Sequence, residues 1–315
     1  MPATFTPLRY PGGKSSLYPL VTKIINERDL KIHTYIEPFA GGAGLAMKLL
    51  MKEDVNEIII NDLDPAIASF WQNVLDSSDD LVSFINDVDI TLPKWEEQRS
   101  IYRSLRAKAL KEYSNDKQTG EIHAPLDYLT HQERFLLGCA AFFLNRTNRS
   151  GIMAGGPVGG KHQKGKYKID ARFNKGNLIK KIKQIASLSH CIKSYNYDAK
   201  QFISKIIVPL SKTQPAILTY FDPPYVDKGP GLYQNSLTEQ DHRLLSEMIH
   251  QCPGNWIVTY DDCNLTHDLY KDLNISNLTI KYCVYRAKTG KEILALSEGL
   301  SDKTRSNVSG EKSII

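Results

Sequence analysis

Asp222, Pro223, Pro224 and Tyr225 stand at the end of an apolar run, in ILTYFDPPYVDKGPGLY at residues 217–233. The run reads as a buried strand. Prolines cannot donate to a sheet ladder, so Pro223 and Pro224 end the strand and lock the direction of the carbonyl groups in the turn. A carboxylate and a proline carbonyl held in place are acceptors only. They suit a ligand that presents two N–H donors, such as the amino group of a base, and Tyr225 adds a flat face on which the base can stack. The plain alternative is a proline-terminated strand with an ordinary turn.

Two further stretches weigh against that alternative. In EPFAGGAG, residues 37–44, Gly41, Gly42 and Gly44 allow positive φ and let a ligand approach the backbone closely. Met47 replaces the third glycine of a dinucleotide fingerprint, which disfavours a nicotinamide or flavin site. In IIINDLDP, Asp62 ends a strand, where its carboxylate can accept both hydroxyls of a ribose; alone it would equally suit an N-cap for a helix starting near Pro65. YPGGKSS contains the Gly-Lys-Ser of a phosphate-binding loop, but Leu8 stands where that motif needs glycine, so Lys14 is left to meet a carboxylate such as that of an amino acid.

These residues need a scaffold that gathers strand ends. HTYIEPF, LAMKLLMK, EIIINDLD and AIASFWQNVL alternate strand and helix, the pattern of a parallel sheet, in which ligands bind at the carboxyl ends of the strands. Polar helix then dominates residues 89–144, followed by a Gly-, Lys- and Arg-rich stretch with little apolar periodicity. Strand signals resume in IKSYNYD, AILTYFDPP, WIVTYDD and LTIKYCVYRAKTGKEILAL, whose Thr289-Gly290 reads as a hairpin turn. The expected organisation is a discontinuous catalytic domain, residues 1–94 and 184–298, interrupted by a basic insert, 95–183. A polar tail, 299–315, is expected to be disordered.

The chain has 315 residues, 41% hydrophobic, which is enough for a large core. No apolar leader or spanning run is seen, and the five cysteines are scattered without a Cys-x-x-Cys pair. Both features predict a soluble cytoplasmic protein with neither disulfides nor a metal site. The formal charge is +5, unevenly spread.

LRYPGGKSSL, EPFAGGAG, NDLD, FFLNRTNRSGI, RFNKGNL and YFDPPY occur in that order, and together they resemble the Dam-type class of DNA adenine-N(6) methyltransferases over residues 8–296. The resemblance implies a Rossmann-like methyltransferase sheet with an inserted helical and β-hairpin domain that recognises double-stranded DNA. It implies S-adenosylmethionine as cofactor and S-adenosylhomocysteine as product. Tyr10 and Lys14 would line the methionine end, with Glu37, Phe39 and the turn at Gly41, Gly42 and Gly44 packed beside it. Asp62 would hold the ribose, Asp198 the adenine, and Asp222 both cofactor and target amine. The setting implied is bacterial, archaeal or phage-encoded, with a restriction or defence partner possible.

The chemistry expected follows from the amine. Adenine's amino nitrogen is a poor nucleophile because its lone pair is delocalised. Bonds from both its protons to Asp222 and the Pro223 carbonyl would favour a pyramidal nitrogen aimed at the methyl group, for direct in-line transfer. The adenine would have to be flipped out of the duplex, at a few kcal/mol, and stacked on Tyr225. A carbon-methylating cytosine enzyme would need a Pro-Cys pair, which is absent; the exocyclic amine of cytosine remains chemically open. Lys161, His162, Lys164, Lys166, Lys168, Arg172 and Lys175, with Tyr167 and Phe173, are expected on a hairpin that follows the phosphates. Asn148 and Arg149 suit adenine and guanine edges in the major groove. An RNA or protein methyltransferase, and a silent DNA-binding relative, stay open as rival readings.

Overall fold

The computed structural model describes residues 5–10, 13–119, 123–214, 216–226, 237–283 and 287–301. Seven strands build one sheet: β1 (Thr34–Glu37), β2 (Glu57–Asn61), β3 (Ile192–Tyr195), β4 (Ile217–Phe221), β5 (Asn255–Asp261), β6 (Ser276–Cys283) and β7 (Ala287–Leu296). Their order is β3-β2-β1-β4-β5-β7-β6. The first five run parallel, and β7 runs antiparallel to both β5 and β6. This is the Rossmann-like sheet that the sequence predicts.

The period-two geometry of a strand sends alternate side chains to opposite faces, so these short strands need apolar residues on both. Tyr35, Ile58, Ile60, Leu218 and Ile257 join one core cluster, while Ile36, Ile59, Ile217, Phe221 and Val258 join the other. The first face is covered by α1 (Tyr18–Glu27), α2 (Gly44–Met51), α3 (Pro65–Asp76), α4 (Ser78–Asp87), α5 (Leu92–Thr119), α6 (His131–Thr147) and α7 (Lys175–Ala186). The second is covered by α8 (Ala199–Phe202), α9 (Val208–Thr213), α10 (Glu239–His250) and α11 (Asn264–Leu269). Local signals set the starts: Asp64 caps α3 ahead of Pro65, and Thr130 with Glu133 forms a capping box on α6.

The helices of residues 95–183 share the core over the sheet. Phe142 of α6 stacks on Phe70 of α3 at 5.6 Å, and Phe173 packs against Phe142 and Phe143. The hairpin expected in this region is reduced to one antiparallel bridge, Asn148 to Pro157. Its backbone is satisfied locally instead of by a ladder. Gly159 and Gly160 turn at positive φ, and the Gln163 amide donates to the carbonyls of Val158 and Gly160 while accepting from the Ile169 N–H.

Two other expectations change. Thr289 and Gly290 lie inside β7, opposite Lys281 and Ile280, because the pairing runs on to Cys283 and Ala287; the turn beyond that pair lies outside the described residues. The start of the tail is ordered, since Glu298–Leu300 forms a 3-10 turn that buries Leu300. The tail from residue 302 lies outside the described residues. No helix among the described residues is long and apolar enough to cross a membrane.

Candidate active site

Glu37 ends β1, Asp62 follows β2 and Asp222 follows β4, so three carboxylates lie along the carboxyl edge of neighbouring parallel strands. Asp222 is held from two sides. Lys14 Nζ lies 3.0 Å from its Oδ1, and the Thr259 hydroxyl donates to the same oxygen at 3.2 Å. Lys14 also donates to both oxygens of Glu292, at 2.7 and 2.9 Å, and to the Tyr225 hydroxyl at 2.9 Å. Tyr225 donates in turn to Glu292. Burial alone would lower the Lys14 pKa, but Asp222 and Glu292 outweigh it and hold the ammonium above its usual range. Burial pushes Asp222 up to about 6, against the opposing pull of Lys14 and with the Glu292 charge adding to the rise.

Lys14 therefore does meet carboxylates, and they are the protein's own. Tyr225 is 5% exposed and its hydroxyl is anchored, so it braces the network. Val226, next along, donates its N–H to Asp261 at 3.1 Å, which ties the end of the Asp-Pro-Pro-Tyr turn to β5. Glu292 is the residue that sequence reasoning misses. It sits on β7 opposite Asp261, in an alternating strand where an acidic residue reads as a solvent-facing position.

The glycine turn is built for close approach. Gly41 adopts φ +47°, and a Cβ there would lie 2.6 Å from the Tyr10 ring. A Cβ on Gly42 would lie 2.9 Å from the Tyr10 Cβ, and one on Gly44 would lie 2.3 Å from Ser15 Oγ. Asp62 fastens this turn to β2, accepting from the Gly41 N–H at 2.8 Å and from the Asp64 N–H at 2.9 Å. The helix-capping role falls to Asp64, which accepts from Ala66 and pairs with Arg106 of α5. Burial, with the Asp64 charge behind it, pushes Asp62 up to about 7 despite its two N–H bonds. Glu37 rises to about 8 through burial, opposed by bonds from the Tyr35 hydroxyl and the Ala46 N–H.

The remaining predicted residues divide. Phe39 is half-buried against the second core cluster. Asp198 caps α8 by accepting from the Lys200 N–H, just after Tyr197, which Asn61 ties to the end of β2. Asn148 is fully buried: its Oδ1 accepts from Trp95 at 2.7 Å and its Nδ2 donates to the carbonyls of Ile152 and Met153. It is a structural residue with no edge left for a base, since all its amide groups are used. Arg149 is exposed, as are Lys161, His162, Lys164, Lys166 and Lys168. Phe173 belongs to the core, and Lys175 donates to the last carbonyls of α4, so neither follows a phosphate chain.

A type II methyltransferase, M.MjaIII from Methanocaldococcus jannaschii, is 24% identical over 231 residues, 69% of this chain and 68% of that one. Among solved structures, the rRNA methyltransferase aviRa from Streptomyces viridochromogenes aligns over 90% of this chain and 86% of that one, at 11% identity and a TM-score of 0.36. Residues 10–283, which run from Tyr10 through the glycine turn and Asp62 to beyond Asp222, match the family of D12 class N6 adenine-specific DNA methyltransferases, and the chain belongs to that family.

Proposed function

We propose that the protein methylates the N6 amino group of an adenine flipped out of double-stranded DNA, with Asp222 and the Pro223 carbonyl as the two acceptors that hold the amine. The observation that carries this reading is Asp222 itself, a carboxylate fixed by Lys14 and Thr259 at the end of β4 and followed by two prolines. The residues present fit S-adenosylmethionine. Asp62 offers a carboxylate to a ribose, and Asp222 with Glu292 outnumbers Lys14, which suits a cationic ligand. Tyr10, Glu37, Phe39, Asp62 and Asp198 would hold it. When bound, it supplies a methyl group on a positively charged sulfur.

Asp222 would accept one N–H of the adenine and the Pro223 carbonyl the other. That arrangement pulls the nitrogen toward a pyramidal shape with its lone pair directed away from both acceptors, as in-line transfer requires. The Asp222 charge also stabilises the positive charge that develops on nitrogen. With Lys14 beside it, Asp222 serves as an acceptor more than as a strong base, and the released proton goes to water. The exposed lysines of residues 161–168 and Arg149 would meet DNA, making residues 95–183 the target-recognition part. A DNA substrate supports a cytoplasmic setting.

The test is transfer of a labelled methyl group to duplex DNA, RNA and protein, with nucleoside analysis of the product. N6-methyladenine in DNA is expected, together with a rise in 2-aminopurine fluorescence when that base replaces the target. Asp222→Ala should bind duplex and transfer nothing. Label found only in RNA or protein, or full transfer by Asp222→Ala, overturns the reading.

A further inference from the structure

Arg9, Arg146 and Arg172 converge where the N-terminal segment crosses the end of α6. Asn145 fixes the crossing: it accepts from the Arg9 N–H at 2.8 Å and donates to the Arg9 and Gly151 carbonyls, each at 2.9 Å. The contact is so close that a Cβ on Gly151 would lie 2.0 Å from the Arg9 carbonyl oxygen. From this anchor Arg9 Nη1 reaches the Asn148 carbonyl at 3.3 Å. Arg146 donates through Nε to the Arg172 carbonyl at 2.9 Å and through Nη1 to the Pro7 carbonyl at 3.3 Å. The Arg172 guanidinium stands 5.3 Å from the centre of the Tyr167 ring, which is 54% exposed.

All three arginines are half-buried; the guanidinium groups of Arg9 and Arg146 bond to carbonyl oxygens and that of Arg172 lies over the Tyr167 ring, and none pairs with a carboxylate among the described residues. Burial, then Arg9, then Arg172 bring the Arg146 guanidinium down to about 10, and Arg146 adds to the lowering by burial at Lys181. Crowding like charges and stripping their water is unfavourable on its own. A cluster held in this way by hydrogen bonds to backbone carbonyls and by a ring contact, without an acid, is complementary to an anion, and forked guanidinium donors match the two free oxygens of a phosphodiester. Arg9 is followed directly by Tyr10, whose ring covers the glycine turn.

We infer that Arg9, Arg146 and Arg172 form a preformed site for one backbone phosphate of DNA beside the catalytic pocket, distinct from the exposed lysine loop. The inference rests on DNA being the substrate. Arg146 positions the cluster through its bonds to Pro7 and Arg172, while Arg9 and Arg172 present their remaining donors to the phosphate.

The experiment uses Arg9→Gln, Arg172→Gln and the double variant, and leaves Arg146 in place because it holds two backbone segments. Duplex binding is measured over a salt series, S-adenosylmethionine binding by calorimetry, and phosphate dependence with duplexes carrying one neutral methylphosphonate at successive positions. Each single variant should bind target and non-target duplexes about tenfold more weakly, and the double variant should lower the salt slope by about 0.9, the share of one phosphate, with cofactor affinity unchanged. One methylphosphonate position should weaken the wild-type protein by a similar factor and have no further effect on the double variant. A wild-type salt slope in the double variant overturns the inference alone, as does a loss confined to one sequence or a loss of cofactor binding. A wild-type protein that binds RNA but no duplex DNA overturns the DNA reading and the inference with it.

Discussion

Lys14 Nζ sits 2.7 Å from Glu292 Oε1 and 3.0 Å from Asp222 Oδ1, so one buried ammonium bridges the end of β4 and the reversed strand β7. The bridge explains why a lysine belongs at position 14 without a phosphate-binding loop. It fixes the orientation of Asp222 and leaves the trio with one negative charge in excess. In the proposed mechanism Glu292 acts through Lys14 on Asp222, as a positioning residue.

Replacing Glu292 with glutamine keeps the shape and removes the charge. Methyl transfer should fall about tenfold or more in kcat/KM, equivalent to about 1.4 kcal/mol. A second readout separates this role from simple bracing. In the proposed mechanism Asp222 is ionised when it stabilises charge on nitrogen, so activity should rise with pH through about 6 in the wild-type protein. The Glu292 charge helps to raise that value, so the acidic limb of the pH–rate profile should move to lower pH in Glu292→Gln. An unmoved limb would leave Glu292 with packing alone.

Glu37 supplies a test on stability. Its pKa rises from 4.5 to about 8 on burial, so the folded protein keeps a proton that the unfolded chain gives up. The stabilisation is fully present below about 4.5 and is lost as pH climbs toward 8, with a slope of at most about 1.4 kcal/mol per pH unit. Glu37→Gln retains an acceptor for the Ala46 N–H and cannot titrate. Its melting temperature should decline less steeply than that of the wild-type protein between about pH 5 and pH 8. Some slope should survive, because Asp62 and Asp222 shift in the same direction. Identical slopes would show that Glu37 does not carry the proton.

Much of this was legible because the chemistry at strand ends is local. Asp-Pro-Pro-Tyr, the glycine turn and Asp62 each announce themselves within a few residues, and the alternating elements predict the sheet that aligns them. What escaped depends on contacts distant in sequence. Glu292 meets Lys14 across 278 positions, and nothing in KEILAL distinguishes an acid turned to the site from one turned to water. Thr289-Gly290 carries the residues of a turn, yet register with β6 keeps both in the strand. Asn148 suits an adenine edge by type, but the long helix α5 brings Trp95 onto its Oδ1.

Asp62 fastens the glycine turn and is proposed to hold the ribose, and its replacement should show both roles. Asp62→Ala should weaken S-adenosylmethionine binding by roughly 1.5–3 kcal/mol, because the ribose loses a charged acceptor. The same change frees the Gly41 and Asp64 N–H groups and should lower the stability of the protein by about 1–3 kcal/mol. Asp62→Asn keeps one acceptor oxygen and should soften both losses. Calorimetry with chemical denaturation on the two variants resolves the pair. Unchanged affinity in a folded Asp62→Ala protein would remove the residue from the cofactor site.

Asn148 and Arg149 are neighbours in sequence with opposite surroundings, and their variants should diverge. Asn148→Ala leaves the Trp95 N–H and two carbonyls unpaired in the core, so it should cost about 2–4 kcal/mol of stability with no change in which base pairs are preferred. Arg149 is exposed and close to the glycine loop, where a Cβ on Gly160 would lie 3.4 Å from its Nη2. If it makes a bidentate base contact, Arg149→Ala should melt as the wild-type protein does and lose about 1–3 kcal/mol of binding on the target duplex only. Replacing Lys164 and Lys166 with alanine supplies the contrast. Those exposed side chains should weaken every duplex alike and flatten the salt slope by about two. An Arg149→Ala protein that weakens all duplexes equally would move Arg149 to the backbone, and the residue that reads a base edge would then have to be sought on another exposed segment of the recognition region.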